Sequence, residues 1–494
     1  MRTVLTSIFT LSIILIQAQT PCVNGMAGLY PCERIDLQYF MPLSEMDDAP
    51  GLNDIWGWVD PIDNKEYALV GMLDGTAFID ITDPLSPIYL GELPTHSSAS
   101  TWRDIKVYND HAFIVSEASG HGLQVFDLTR LRNVINPPEL FDEDAHYNGF
   151  SNCHNIAINE ESGYAYPIGT NQASGGPLFI NIQDPMNPTL EGSYGDLFYS
   201  HDAQIVSYNG PDPDHQGKEI YFGFHGNSAE GLVIVDITDK TDPESLSTSG
   251  YDCQDYTHQG WVTPDHRYCF VNDELDEGQF GYNTRTRLFN IEDLDNPVLI
   301  GNYEADVTST DHNLYTLDGR AYMSNYTSGL RVVDYSLLDN EIMEEVAFFD
   351  VHPSDNNAGY SGTWSNYPYF PSGNIVVTHR TDGLFIVKAQ DLSEIVPSQA
   401  INTDICPAEL SVNELETMSF NIAPNPTRDF ITLTAEKDIK QIDIIDITGR
   451  IIHSELLNLY AGSAIRINLD VLEQGAYLVA INKDFRNTRR LIIE

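Results

Sequence analysis

Four histidines, His154, His201, His258 and His312, each open a short apolar stretch: "HNIAIN", "HDAQIVS", "HQGWV" and "HNLYTL". Neutral imidazole ligates zinc, copper or iron, so four copies at matched positions could hold a transition metal. The same pattern allows two other roles: hydrogen bonding between neighbouring repeats, or contact with an organic ligand. Asn53, Arg103 and Trp364 fall in register with the histidines. The next position along is polar in every copy: Asp54, Asp104, Asn155, Asp202, Gln259, Asn313 and Ser365. A second set, Asp74, Glu117, Asn171, His225, Asp273 with Glu274, Asn325 and His379, sits in turns that alternate hairpins bring to the same end. The candidate ligand-binding face is therefore Arg103, Asp104, Glu117, Asp202, His225, Asp273, Glu274 and His379, with carboxylates able to orient the imidazoles. An alternative is a metal-dependent enzyme in which Asp202, Glu117 or Glu274 moves protons or orients a ligand.

Other chemistry is sparse. The acidic run "NDELDEG" offers Asp273, Glu274, Asp276 and Glu277 to calcium, a hard cation that prefers carboxylate oxygens, but lacks the spacing of a calcium-binding loop and reads more readily as a solvated turn. There is no G-x-S-x-G elbow, no H-E-x-x-H and no phosphate-cradling glycine loop. Trp56, Trp102, Trp261 and Trp364 suit either sugar stacking or a β core.

The elements that must position these groups repeat. "GLVIVDITDKTDP" (231–243) has relatives at 75–87, 122–129, 176–188, 286–297, 329–336 and 383–391. The spacing of about 50 residues suits four-stranded propeller blades. Period-two alternation of Val, Ile, Phe and Tyr, broken by Gly, Asp and Pro, excludes a helical solenoid. The last repeat lacks a fourth strand, and "ERIDLQYFMPL" (33–43) is an orphan strand able to supply it. The expected fold is all-β: a seven-bladed β-propeller over 33–391, closed by an N-terminal strand, with an open β-solenoid as the alternative.

The remaining segments frame this core. Residues 1–18 have the basic start, apolar stretch and small-residue end of a secretory signal peptide. Residues 19–32 form a loop in which Cys22 and Cys32 are close enough in sequence to bridge, whereas Cys153, Cys253, Cys269 and Cys406 cannot be paired from sequence. No later segment has the roughly 20 apolar residues of a transmembrane helix. The formal charge of -48 opposes nucleic acid and favours cationic partners. A polar linker is expected at 392–419, followed by a small Ig-like β-sandwich at 420–494.

Two resemblances follow from quoted residues. "FNIAPNPTRDFITL", "IDIIDITGRII", "LEQGAYLVAI" and the closing "RRLIIE" resemble the C-terminal sorting domain of the type IX secretion system. That implies recognition by the type IX machinery and a mature protein that is secreted or held on the outer cell surface. "LVIVD", "TWRDIKVYNDHAFIVSEASGHGLQVFDLT", "AHYNGFSNCHNIAIN", "THQGW" and "TDHNLY" resemble LVIVD-repeat, choice-of-anchor B proteins. This implies a cell-surface or secreted propeller sorted by interchangeable C-terminal anchors and supplies no activity; export, the sorting module and the absence of a catalytic motif favour a non-catalytic propeller that binds a small ligand, glycan or protein at its histidine-rich face.

Overall fold

Each repeat becomes a strand because its apolar alternation ends in a local turn signal. In "GLVIVDIT" the strand Gly231–Asp236 is buried throughout, and the Asp236 carboxylate then accepts the N–H of Thr238 at 3.0 Å. Equivalent side chains end five of the six other copies: Asp80 accepts from Thr82, Asp127 from Thr129, Asn181 from Gln183, Asn290 from Glu292 and Asp334 from Ser336. Such Asx turns halt the ladder while satisfying a backbone donor, which is why Asp or Asn recurs there. At the strand's start Gly231 adopts φ +60°, and a Cβ would lie 2.7 Å from the Ser249 carbonyl oxygen.

The computed structural model describes residues 19–493 except 198, 227, 405, 407–419, 436, 447–449, 470, 471, 473 and 483. The expected signal peptide and much of the expected linker lie outside the described residues. The chain divides into two compact units, Met1–Ile405 and Cys406–Glu494. The protein is all-β, and among the described residues the first unit holds seven sheets of mainly antiparallel, propeller-like four-stranded meanders. Typical is the sheet Asp202–Ser207, Glu219–His225, Gly231–Asp236 and Glu244–Ser249.

The first strands of the seven sheets are Leu52–Val59, Arg103–Tyr108, Asn155–Asn159, Asp202–Ser207, Thr257–Val262, Leu314–Leu317 and Thr363–Tyr367. Each lies against the next, and Thr363–Tyr367 lies against Leu52–Val59. Strand Ile35–Pro42 pairs antiparallel with Gly383–Ala389, placing Phe40 opposite Phe385. Apolar clusters join adjacent sheets: Tyr67, Leu69 and Phe78 pack with Ile105, Ile114 and Phe126. Cys22 and Cys32 form a disulfide, and Cys153 and Cys269 are buried thiols. Part of the stretch expected to be linker is anchored to this unit: Ile401 N–H donates to the Glu341 carbonyl, and Asn402 and Asn302 exchange backbone hydrogen bonds.

The second unit has a three-stranded sheet, Phe420–Ala423, Phe430–Ala435 and Ala464–Asn468, and a four-stranded one, Ile451–Leu459, Ile439–Asp446, Gly475–Ile481 and Asp484–Ile493. Ile431 and Leu433 of the first share one core with Ile442, Ile444 and Val479 of the second.

Phe385 has no exposed surface and its ring centroid lies 4.6 Å from that of Phe40 and 5.0 Å from that of Tyr30. Phe385→Ala is expected to cost about 3–5 kcal/mol, read as a lower denaturant midpoint. Opening the Cys22–Cys32 bridge by Cys22→Ser with Cys32→Ser is expected to cost up to about 3 kcal/mol on loop-closure grounds.

Candidate functional site

The first strands place their opening residues at one end of the first unit, and the histidines meet there. Successive ring centroids lie 4.2 Å apart for His154 and His201, 4.1 Å for His201 and His258, and 4.3 Å for His258 and His312. Trp364 continues the row, 5.0 Å beyond His312. Three of the four imidazoles are held by their Nδ1 atoms. His201 donates to the His258 carbonyl at 2.8 Å, His312 to the Trp364 carbonyl at 2.5 Å, and His154 Nδ1 lies 2.6 Å from Glu117 Oε1. Carbonyl oxygens only accept, so in His201 and His312 the proton sits on Nδ1 and the lone pair of the neutral ring on Nε2.

Burial, reinforced by neighbouring imidazoles, holds His201 and His258 well below the ordinary value, and burial lowers His312 to about 3. These rings are neutral at physiological pH, the form a metal requires. His258 is buried and its Nδ1 has no hydrogen-bond partner among the described residues. His258 Nε2 lies 3.8 Å from Glu274 Oε2. His258, His312 and Glu274 each bring one donor atom within 4.8 Å of the others, a set that His154 and His201 do not complete. Glu274 also accepts from the Tyr326 hydroxyl at 2.9 Å, and burial pushes its carboxyl up to about 7. The space between the rings is only about 10 Å³, room for one water or ion and no organic ligand.

Other predicted residues serve local structure. Arg103 is buried, donating to the Met72 carbonyl and contacting His121 Nε2, both at 3.0 Å. His225 Nδ1 donates to the Leu197 carbonyl, and His379 Nδ1 accepts the N–H groups of Thr381 and Asp382. Asp273 accepts from the Tyr251 hydroxyl and the N–H groups of Asp255 and Tyr256. The expected calcium carboxylates part company: Asp276 pairs with Arg287 at 2.6 Å while Glu274 turns to Tyr326. Among the described residues the run "NDELDEG" forms no ligand set of its own.

Asp104 and Asp202 belong to a deeper layer, with Asp54 and a residue that no motif singled out, Lys106. Its ammonium lies 2.7 Å from Asp104 Oδ1 and 4.5 Å from the centre of the Trp56 ring. Asp104 Oδ2 accepts the Ile156 N–H from the next sheet. Burial and then the Asp104 charge push Asp54 up to about 7, and the same two causes hold Asp202 well above the carboxylate range. The signal was present: in "RDIK" Asp104 and Lys106 are two apart and so share a strand face. Beyond this layer opens a cavity of about 570 Å³, walled by Trp56, Trp261, Tyr315, Tyr367 and Tyr369.

Comparison with known proteins bears mainly on the second unit. Residues 421–494 match the family described as the secretion system C-terminal sorting domain. The protein is therefore type IX cargo, secreted or held at the cell surface, and its tail is recognised by that machinery. No helix among the described residues is long and apolar enough to cross a membrane. Comparison with curated protein sequences finds no match. Among solved structures, the chain is similar to PorZ, a surface component of the type IX secretion system of Porphyromonas gingivalis, at 12% identity and a TM-score of 0.43; the match covers 87% of this chain and 58% of PorZ. It is also similar to the hydrazine synthase of Kuenenia stuttgartiensis at 13% identity and a TM-score of 0.44, over 67% of this chain and 93% of that one. Likenesses this distant carry no activity across.

Among the described residues Lys106 is the one cation beside the buried Asp54 and Asp104 and the half-buried Asp202, so Lys106→Met would leave their negative charge without a counter-ion. A cost of about 3–5 kcal/mol is expected at pH 8. Asp54, with its native pKa raised above the free value, lowers stability as pH climbs from about 4 through about 7. Loss of Lys106 deepens that penalty. The difference between variant and parent in denaturant midpoint should therefore shrink at pH 5 and grow at pH 8.

Proposed function

We propose that the first unit is a seven-bladed β-propeller of the LVIVD-repeat, choice-of-anchor B kind, closed by the strand Ile35–Pro42 and spanning 33–391. The Ig-like sandwich at 420–494 is its export tag. At the surface the propeller acts as a binding module, and its histidine-rich end holds one transition-metal ion. His258, His312 and Glu274 are the first ligands, with His201 and His154 flanking them.

The observation that carries this reading is the pinning of Nδ1 in His201 and His312, with His154 held by Glu117. Histidine ligands usually donate their other ring N–H to a carbonyl or carboxylate, which fixes the ring and its tautomer. The 3.8 Å between His258 Nε2 and Glu274 Oε2 is near the ~3.3 Å edge of a tetrahedron with bonds of about 2 Å. A catalytic role for the ion finds less support, because the space of about 10 Å³ leaves no place for a substrate.

Elemental analysis of protein purified without chelator is expected to give one equivalent of zinc, copper or iron per chain. The double variant His258→Ala, His312→Ala should lose it while keeping its far-ultraviolet circular dichroism. Metal-free parent protein, or a variant that retains the metal, would leave the histidines as braces between blades.

A further inference from the structure

The far side of the aspartate layer is built differently. Asp54, Trp56, Lys106, Trp261, Tyr315 and Tyr369 line the cavity of about 570 Å³, within the range that holds small organic ligands. Asp54 is 4% exposed, and Asp202 also faces the cavity. The floor has more carboxyl groups than cations. Asp54, Asp104 and Asp202 bring three carboxylates against one ammonium, that of Lys106, which Asp104 holds at 2.7 Å. Asp202 Oδ1 accepts the Ala203 N–H at 2.7 Å, and no hydrogen bond reaches its Oδ2 among the described residues.

We propose that this cavity binds a small organic cation, with its ammonium group at the carboxylates of Asp54 and Asp202 and its apolar body against Trp261, Tyr315 and Tyr369. An ammonium beside these carboxyl groups favours their ionised form, and the resulting ion pairs are strong where water is scarce. The rings add the attraction of their faces for a cation. Trp261 and Tyr315 stand edge to face with centroids 4.9 Å apart, and Tyr369 lies 6.2 Å from Tyr315. A bare metal ion fits less well. Asp54 already accepts the Ile55 N–H at 2.7 Å and the Asn313 amide at 3.3 Å, and the described residues of this layer form no metal-ligand set. An anion would meet repulsion from the carboxylates, and a neutral ligand would leave Asp54 and Asp202 without a cation to favour their ionised form. The site lies beyond the histidine end and does not depend on the metal reading.

The test is isothermal titration calorimetry of the full chain with phenethylammonium, its neutral isostere 2-phenylethanol, and phenylacetate. The ammonium is expected to bind saturably and at least about tenfold more tightly than the alcohol, with phenylacetate weakest. Asp202→Asn should weaken the ammonium about tenfold and leave the alcohol and the metal content unchanged. Absence of saturable binding by the ammonium, or equal affinity for ammonium and alcohol, would overturn the proposal. That comparison needs only the parent protein, so it stands even if the variant misfolds.

Discussion

The first unit depends on one hydrogen-bonded seam, the antiparallel pairing of Ile35–Pro42 with Gly383–Ala389. The sheet containing Thr363–Tyr367, Asn374–His379 and Gly383–Ala389 takes its fourth strand from the other end of the unit. In the proposed ring this pairing ties first sheet to last, and every sheet then buries both faces against a neighbour. Tyr30, Phe40, Phe349 and Phe385 pack around the seam, so its hydrogen bonds are shielded by an apolar cluster.

Convergence of the first strands has an electrostatic consequence. Side chains that alternate along each strand are forced together, first as a row of neutral imidazoles, then as aspartates around Lys106, then as aromatic walls. The imidazoles are neutral because burial disfavours their charged form, and two of the aspartates are raised for the same reason. In the proposed reading the two ends take different species. The space at the histidine end is about 10 Å³, against about 570 Å³ at the aromatic end, so the ion is assigned to the first and the organic cation to the second.

Export sets the conditions under which both ends would work. The sorting domain at 421–494 delivers the protein to a compartment where disulfides persist, consistent with the Cys22–Cys32 bridge. The formal charge of -48 favours the approach of cations over long range, although that field is screened by salt.

Much of the architecture was legible in the chain. Period-two alternation closed by Asp or Asn marked the strands because both signals act within a few residues, and the tail motifs marked the sorting domain. Four histidines in register were visible for the same reason, since strand position follows from spacing. Other features required the tertiary structure. Spacing could not reveal that Glu274 reaches His258 while Asp273 turns to Tyr251 and the backbone of its own loop, because adjacent residues on a strand face opposite ways and loop paths decide their partners. Nor could it show that Lys106 pairs with Asp104 among aspartates from other sheets, or that the space at the histidines is small and the roomy cavity lies beyond them. Those facts depend on how strands distant in sequence approach one axis and how side-chain volumes fill the gap, which is set by packing across the whole unit. The sequence by itself determined the strands, the repeat and the export signal; the tertiary structure decided which charges meet and where a ligand has room.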